Sequence, residues 1–425
     1  MYKTALLAAL LAVPAVIPAP AAAAGATGGT LKILSYNIAG LPDILSSADT
    51  DRATSTTAIG SRIAGYDLVN VQEDFNFHAY LYAADTHAYR TPTSGGAGIG
   101  SGLNTLSKYA YDTDDFERDR WTSCQYDSGD CLTPKGFTFQ RVRLAEGVYV
   151  DVYNLHANAG TNAGDLASRA ANLSQLTTFI GSHSPGNAVL VFGDTNTRYT
   201  RDGDTIADFV ANNGLTDAWV TLERGGVAPA KGADPILCSD DSCEVVDKVL
   251  YRGSRFITLN ATAYHNEHAA FLDAGGLMLS DHDPVSVNLN WSTNPAYQFS
   301  EQFGGPHGDY FDDVDTAGPL SSISLRAGSR VDRIGPHGGT GGTLKTLTLG
   351  DGEYVTSAQL CRGVYNSHTR IFSAKFTTNR GNTLAGGTTT ADCVTRTAPT
   401  GWQIAGFHGR AGDEVDKLGL IYTRH

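Results

Sequence analysis

The 425-residue sequence predicts two folded units in series, an α/β unit of sheets flanked by helices and then an all-β module. Up to Trp291, short apolar runs rich in β-branched residues alternate with stretches of helical period. Beyond Trp291 the chain is Gly-rich, nearly without helical pattern, and built of period-two segments between turns. The length also exceeds what a single core usually holds.

The first unit is read over residues 28–291, and its elements follow in order. LKILSYNI (31–38) is a buried strand, and Arg52 to Ala64, with Ile59 and Ile63 one turn apart, is a helix. DLVNVQE (67–73) and VYVDVYNLH (148–156) are strands of β-branched and aromatic content. Asp165 to Ile180 is the clearest helix, with Leu166, Ala170, Leu173, Leu176 and Ile180 on one face. NAVLVFGD (187–194) is a strand running into a loop, Thr205 to Asn212 a short helix ended by Gly214, and KVLYRG and PVSVNLNW the closing strands. A linker is placed at 292–297 and the all-β module at 298–425, where SSISLRAG, TLKTLTLG, RIFSAKFTTNRG and KLGLIYT alternate.

The N-terminus predicts export. Lys3, the apolar stretch Ala5 to Ile17 and the small residues Ala21 to Ala24 read as a signal peptide over residues 1–24, hence a secreted, extracellular protein. No later stretch approaches the roughly 20 apolar residues of a membrane span, so peripheral contact is the only membrane association expected, and a monomer the expected state. Six cysteines fit an oxidising compartment. They lack the paired spacing of a zinc cluster. Pairing Cys124 with Cys131, Cys238 with Cys243 and Cys361 with Cys393 keeps each bridge within one region. The net charge of −13 is uneven: from Glu301 on, twelve basic residues balance twelve acidic ones, so the excess acid falls on the first unit. Such a unit has no broad electrostatic footprint for nucleic acid.

Five short segments carry candidate chemistry. Asn37 ends the strand in SYNIAG and Glu73 ends the one in VNVQEDF; an oxygen-only pair is what a hard cation requires. His156 follows the apolar strand of VYNLHAN. In VFGDTN, Gly193 is read as the residue that turns the strand sharply, putting Asp194 and Asn196 on one side. SDHDP sets Asp281, a third metal donor, beside His282, a candidate general base. Taken singly, each is an ordinary strand-end residue.

Their order resembles the DNase I-like endonuclease/exonuclease/phosphatase superfamily: Asn, QE, NLH, GDxN, Asp247 opening a strand, then SDH. The resemblance implies an α+β four-layer sandwich of two packed sheets between helices, and a metal-dependent phosphoric diester hydrolase. It implies that Glu73, with Asn37 and Asp281, holds Mg²⁺, with Mn²⁺, Co²⁺ or Ca²⁺ as alternatives. It further implies that Asp194 and Asn196 orient water and phosphate, that His156 and His282 flank the phosphorus, and that Asp247 orients His282. Glu73-Asp74-Phe75-Asn76, Lys135-Gly136 and SGLNTLSKY (101–109) resemble the secreted sphingomyelinase branch, whose substrates are phospholipids cleaved in the phospholipase C manner. Two positions depart from that pattern. Ser101 stands where an acid usually supports the first histidine, and Lys248 where an aromatic follows Asp247. An extracellular DNase I-like endonuclease acting on nucleic acid is the alternative.

FGGPHGDYFDD, GPHGGTGGTLKTLTLG, FTTNRG and IAGFHGRAGDEVDKLGLIY resemble jacalin-like lectins over nearly all of 298–425. This implies a β-prism of three four-stranded sheets that binds glycans between Gly304-Gly305 and the loop Gly412-Asp413-Glu414-Val415-Asp416. A second alternative for the whole chain is thus a non-catalytic carbohydrate-binding protein on an inactive phosphoesterase scaffold.

Overall fold

The computed structural model describes residues 25–96, 99–126 and 129–425. The expected signal peptide at 1–24 therefore lies outside the described residues. Strands β1 (Gly28–Asn37), β2 (Leu68–Gln72), β3 (Tyr89–Arg90) and β4 (Asn104–Ser107) open the first sheet. A second sheet contains β5 (Glu117–Arg120), β6 (Gly136–Ala145), β7 (Val148–Leu155), β8 (Ala188–Asp194), β9 (Thr216–Asp217) and β10 (Asp247–Arg252). Strands β11 (Ile257–Asn266) and β12 (Val285–Thr293) return to the first, giving the orders β11-β12-β1-β2-β4-β3 and β5-β6-β7-β8-β10-β9.

Helices cover the outer faces. Helix α1 (Arg52–Ile63) and α2 (His78–Ala84) set Ile59, Ile63 and Leu81 against Leu34, Tyr36, Val69 and Val71 of the first sheet. Helix α3 (Ala163–His183) packs Leu173, Leu176, Phe179 and Ile180 against Phe137, Phe139 and Val191 of the second. It starts earlier than the apolar stripe suggests because Asn162 and Asp165 form a reciprocal capping box, worth about 1 kcal/mol. The result is the expected four-layer sandwich.

Between the two sheets the packing is partly polar. Gln72 Nε2 donates to Asn154 Oδ1 at 2.8 Å, and Asn154 Nδ2 donates to the carbonyls of Val71 and Asn104 at 3.0 and 3.1 Å. Asn70 Nδ2 reaches the carbonyls of Tyr153 and Phe192 at 3.1 and 2.9 Å, while its Oδ1 accepts from Thr105 Oγ1 at 2.6 Å. These amides key one sheet to the other where purely apolar contact would leave the register free.

Strands β13 (Tyr297–Phe299), β14 (Phe303–Gly304), β15 (Asp309–Asp312), β16 (Ser322–Ala327), β17 (Val331–Ile334) and β18 (His337–Gly338) begin the second unit. It continues through β19 (Thr343–Thr348), β20 (Val355–Tyr365), β21 (His368–Thr378), β22 (Thr383–Gly387), β23 (Asp392–Thr397), β24 (Trp402–Ala411) and β25 (Val415–Arg424). Three sheets enclose a core of Ile323, Leu325, Val331, Leu360, Phe376, Ile404, Phe407 and Leu420. The expectation of four strands per sheet holds for two of them; the third, β13-β25-β24-β15, gains β14 alongside β25.

The two units share a packed junction. Tyr310 lies edge-on to Phe139 and is covered by Arg141 and Arg410 at 4.7 and 4.1 Å. Glu301 accepts from Arg143 Nε and the Gly147 amide at 2.8 and 2.9 Å, and from the Tyr149 hydroxyl. The three disulfides are those expected, Cys124–Cys131, Cys238–Cys243 and Cys361–Cys393. Among the described residues no helix is long and apolar enough to cross a membrane.

Candidate active site

Five strand ends meet at one edge of the sandwich. Strands β1 and β2 run parallel and finish at Asn37 and Gln72, next to Glu73. Strands β7 and β8 also run parallel, bringing His156 beside Asp194 as a bridged pair. Strand β10 is antiparallel to β8 and opens with Asp247 opposite Asp194, while His282 lies in the turn before β12. Local backbone shapes the edge. Glu73 and Asn196 adopt left-handed conformations at φ 58° and 52°, each costing about 1 kcal/mol or more. Glycine makes room for the first: a Cβ on Gly40 would stand 2.2 Å from the Glu73 carbonyl oxygen, and one on Gly102 2.9 Å from its Cα.

The side chains converge. Asn37 Nδ2 donates to both Glu73 Oε1 and Asp194 Oδ2 at 3.2 Å. His156 Nε2 lies 3.3 Å from Asp194 Oδ2 and 3.9 Å from Glu73 Oε1. His282 Nδ1 meets Asp247 Oδ2 at 2.8 Å, and its Nε2 faces Asp194 Oδ2 at 3.9 Å. The Asn196 amide donates to Asp194 Oδ1 at 2.9 Å, and Asn196 Nδ2 to the Ala157 carbonyl at 3.1 Å. Asn37, Glu73, His156, Asp194, Asn196, Asp247 and His282 therefore form one cluster. Asp281 is exposed and bonds with Ser280 Oγ at 3.4 Å; it acts on Glu73 and His282 through its charge, not as a bonded member of the Asn37–Glu73 pair.

Charge is arranged asymmetrically. Burial and the nearby Lys135 push His156 down to about 3, so it is neutral, and Asp194 at 3.3 Å places its proton on Nε2. Burial opposes charge on His282 as well, but Asp247 and Asp194 overcome it and lift this histidine to about 10. Burial raises Glu73. It also raises Asp194, yet His156, His282 and Lys135 together bring that carboxylate below its ordinary range. The donor set fits a hard divalent cation: Glu73 and Asp194 present carboxylate oxygens to a shared neutral amide, and the buried Asp247 Oδ1 has no hydrogen-bond partner. Asp194, Asp247 and His282 also bring ligand atoms within 4.8 Å of one another. With His282 Nδ1 bonded to Asp247, that trio reads better as an acid–imidazole pair than as a metal cage.

Both departures from the sphingomyelinase pattern have visible consequences. Ser101 Oγ pairs with Ser94 Oγ at 3.1 Å, and the buried His156 Nδ1 is left with no partner. Lys248 alternates to the far side of β10, where its ammonium lies over the Tyr199 and Trp219 rings at 5.6 and 5.9 Å. Gly193 does not turn the strand. It remains within β8, and a Cβ there would stand 2.4 Å from the Leu155 carbonyl oxygen, so its role is close packing; the turn falls at Asn196.

Sequence reasoning missed several contributors. Lys135, which contacts Asp130, imposes its charge on Glu73, His156 and Asp194. Ser280 Oγ donates to the Asn37 carbonyl at 2.6 Å. Beside His282 opens a cleft of about 450 Å³ lined by Leu237, Val245, Val246, Met278 and Arg198. Gln72 and Asn154 had a readable signal, since both stand inside the QE and NLH segments.

At the candidate carbohydrate loop the expected pieces are rearranged. Gly304 and Gly305 pack against backbone, the Gly305 amide donating to the Asp416 carbonyl at 2.8 Å. The glycine facing the Asp416 carboxylate is Gly308, where a Cβ would stand 2.7 Å from Oδ2 and 2.8 Å from the Gly412 nitrogen. Glu414 is engaged by Arg330 and Arg370, so its carboxylate serves the loop rather than a ligand; Asp413 is exposed. Asp416, at 2% exposure, keeps Oδ1 without a hydrogen-bond partner.

Comparison with known proteins follows the same division. The endonuclease/exonuclease/phosphatase family 2 matches residues 50–233, and the jacalin-like lectin domain matches residues 300–421. A sphingomyelinase of Mycobacterium tuberculosis is 41% identical over 270 residues, 62% of this chain and 53% of that protein. The chain thus spans about half the length of the curated relatives it matches. Griffithsin from Griffithsia sp. is 32% identical over 132 residues, 29% of this chain and 96% of that protein. Among solved structures, sphingomyelinase C from Streptomyces griseocarneus aligns over 61% of this chain and 99% of its own, with 20% identity and a TM-score of 0.42.

Proposed function

Because the chain joins an endonuclease/exonuclease/phosphatase family 2 domain to a jacalin-like lectin domain, we propose that it is an exported, Mg²⁺-dependent phosphodiesterase of glycan-bearing surfaces. Its proposed substrate is sphingomyelin or a related phospholipid, cleaved in the phospholipase C manner. The convergence of His156 and the His282–Asp247 pair on Asp194 carries this reading.

A phosphodiester anion repels nucleophiles, so the site must supply both positive charge and a base. Asp247 fixes the His282 tautomer with Nδ1–H toward the acid, which directs Nε2 at the attacking water. Water oxygen bonds to phosphorus, its proton passes to His282 Nε2, and the bond from phosphorus to the lipid alcohol oxygen breaks, that oxygen taking up a proton as it leaves. His156 donates from Nε2 to a phosphoryl oxygen, while Asp194 and Asn196 orient water and phosphate. Glu73 and Asp194, oriented by the Asn37 amide, would hold the divalent cation, which would neutralise phosphate charge, favour the leaving oxygen and, by its field, lower the proton affinity of His282.

Three observations favour lipid over nucleic acid. The unit is strongly acidic, Leu237, Val245, Val246 and Met278 add an apolar part to the otherwise polar cleft beside His282, and the relatives matched over 62% of this chain are named sphingomyelinases. In the lectin domain, Asp416 Oδ1 makes no hydrogen bond and lies 3.6 Å from Arg370 Nε, a buried acceptor suited to a sugar hydroxyl. The test is a parallel assay of the chain on sphingomyelin, phosphatidylcholine, phosphatidylinositol and plasmid DNA, with Mg²⁺ and with EDTA. Mg²⁺-dependent release of phosphocholine is expected. Degradation of DNA without lipid turnover would replace the lipid reading with a nuclease.

A further inference from the structure

The hairpin that ends β24 and begins β25 occurs twice in the lectin domain. Arg410-Ala-Gly-Asp-Glu-Val-Asp-Lys-Leu-Gly419 matches Arg326-Ala-Gly-Ser-Arg-Val-Asp-Arg-Ile-Gly335. The copies agree in two sets of contacts. A Cβ on Gly342 would meet Asp332 Oδ2 and the Gly328 nitrogen at 2.4 and 2.5 Å, as one on Gly308 would meet Asp416 Oδ2 and the Gly412 nitrogen at 2.7 and 2.8 Å. The Gly339 amide donates to the Asp332 carbonyl at 2.9 Å, as that of Gly305 does to Asp416 at 2.8 Å. Each hairpin therefore serves as a reference for the other.

They differ in what the paired basic residues at the hairpin base hold. In the 326–335 copy, Arg326 gives Nε and Nη2 to the carbonyls of Gly341 and Gly342 at 2.9 and 3.1 Å, entirely within the prism. In the 410–419 copy, Arg410 Nε holds the Gly308 carbonyl at 3.1 Å while Nη1 crosses to Asp115 of the phosphoesterase domain at 2.9 Å. Lys417, opposite Arg410 in the hairpin, reaches the same carboxylate at 2.8 Å and Asp112 at 2.7 Å. Asp115 is 1% exposed, and burial opposes its charge; Lys417, Arg141 and Arg410 together hold it ionised, below the ordinary carboxylate range.

We propose that Asp115 of the phosphoesterase domain is a positioning residue for the candidate carbohydrate loop Gly412–Asp416, acting through Arg410 and Lys417. This rests on the carbohydrate reading of that loop. One carboxylate from the neighbouring domain holds both flanks of the loop, and through Arg410 it also holds the Gly308 carbonyl against the loop's own acid. Without that charge, Arg410 loses its carboxylate partner, Lys417 keeps only Asp112, and the distance from Gly308 to Asp416 loosens. The site is thus preorganised only in the two-domain chain, and a captured glycan is held in one orientation relative to the catalytic edge.

The test uses the full chain carrying Asp115→Asn, with hydrogen exchange measured over 406–421 and 322–335 and calorimetric titration with methyl α-mannoside, α-glucoside and α-galactoside. Faster exchange at 411–418 with 327–334 unchanged, and sugar affinity lower by about tenfold or more, are expected, while bis(4-nitrophenyl) phosphate turnover stays the same. Unchanged exchange and affinity overturn the proposal, as does an equal rise in exchange in both hairpins, which marks general loosening. Should Asp115→Asn fail to fold, Lys417→Met cuts one of the two links from Asp115 to the hairpin, and an absence of any change at 411–418 is then the refuting result. If the wild-type chain binds none of the sugars but Asp115→Asn still quickens exchange at 411–418 alone, the anchoring stands and the carbohydrate reading falls.

Discussion

Replacing Asp247 by Asn tests the acid–imidazole pair without emptying space. The amide keeps the volume and a hydrogen bond to His282 Nδ1, but it removes a buried charge that faces the imidazole at 2.8 Å. Opposite charges near 4 Å interact by about 4 kcal/mol at an effective dielectric of 20. Asp194, 3.9 Å from Nε2, retains part of that support. A loss of roughly 2–4 kcal/mol in stabilising the imidazolium that forms as water is deprotonated lowers kcat about 30- to 10³-fold. The assay measures kcat with saturating Mg²⁺ on both bis(4-nitrophenyl) phosphate and sphingomyelin, with a thermal melt alongside to confirm folding. A variant that melts like the wild type yet keeps kcat within about threefold, a difference under 1 kcal/mol, would refute the assignment of His282 as base and Asp247 as its support.

Glu73→Gln should abolish the rise in melting temperature on adding Mg²⁺ and lower turnover by about 10²-fold or more; an unaltered Mg²⁺ shift would remove Glu73 from the metal site. Asp312, at the domain junction, is raised by burial to about 7 from 3.8. Its folded form therefore binds the proton more tightly than the unfolded chain, so its stabilising contribution is complete below about pH 4 and lost as pH rises through about 7. The loss is at most about 4 kcal/mol, less where water reaches the carboxyl. Asp312→Asn should flatten the wild-type decline in melting temperature across that window, and parallel declines would show that other groups cause it. Opening Cys361–Cys393, whose ends lie 32 residues apart, by the double Ser substitution should cost the lectin domain about 3 kcal/mol, read as a lower denaturant midpoint. An unchanged midpoint would mean that the bridge contributes nothing to stability.

Much of this architecture was legible in the residues. Strand-end positions of Asn37, Glu73, Asp194 and Asp247 followed from apolar runs that stop at a polar residue, and such runs leave little ambiguity about where a strand ends. The pairings that join the ends did not follow, because β1 with β12 and β8 with β10 are long-range contacts that no local period encodes. Gly193 was misread for a related reason. A glycine in a strand signals either a turn or a close neighbour, and the neighbour, Leu155, belongs to a different segment. Lys135 was noticed only as a strand marker, since its charge matters through proximity to Glu73 and His156 rather than through spacing. The same limit applied to Gly308 and Glu414, whose neighbours Asp416, Arg330 and Arg370 are set by the prism's folding.

The buried amides between the sheets have a consequence for how this protein tolerates change. Gln72 and Asn154 lie one and two residues from Glu73 and His156, so the hydrogen bond joining them sets the relative height of the proposed metal ligand and the proposed phosphate donor. Replacing both amides by aliphatic residues of similar size removes their own polar groups but takes a donor from the carbonyls of Val71 and Asn104, at a cost of about 1–3 kcal/mol for each carbonyl left unpaired. It also leaves Asn70 to key the two sheets together without them. Sequence drift at these two positions therefore acts on the alignment of the site and on stability together, and the two are separable only by measuring both.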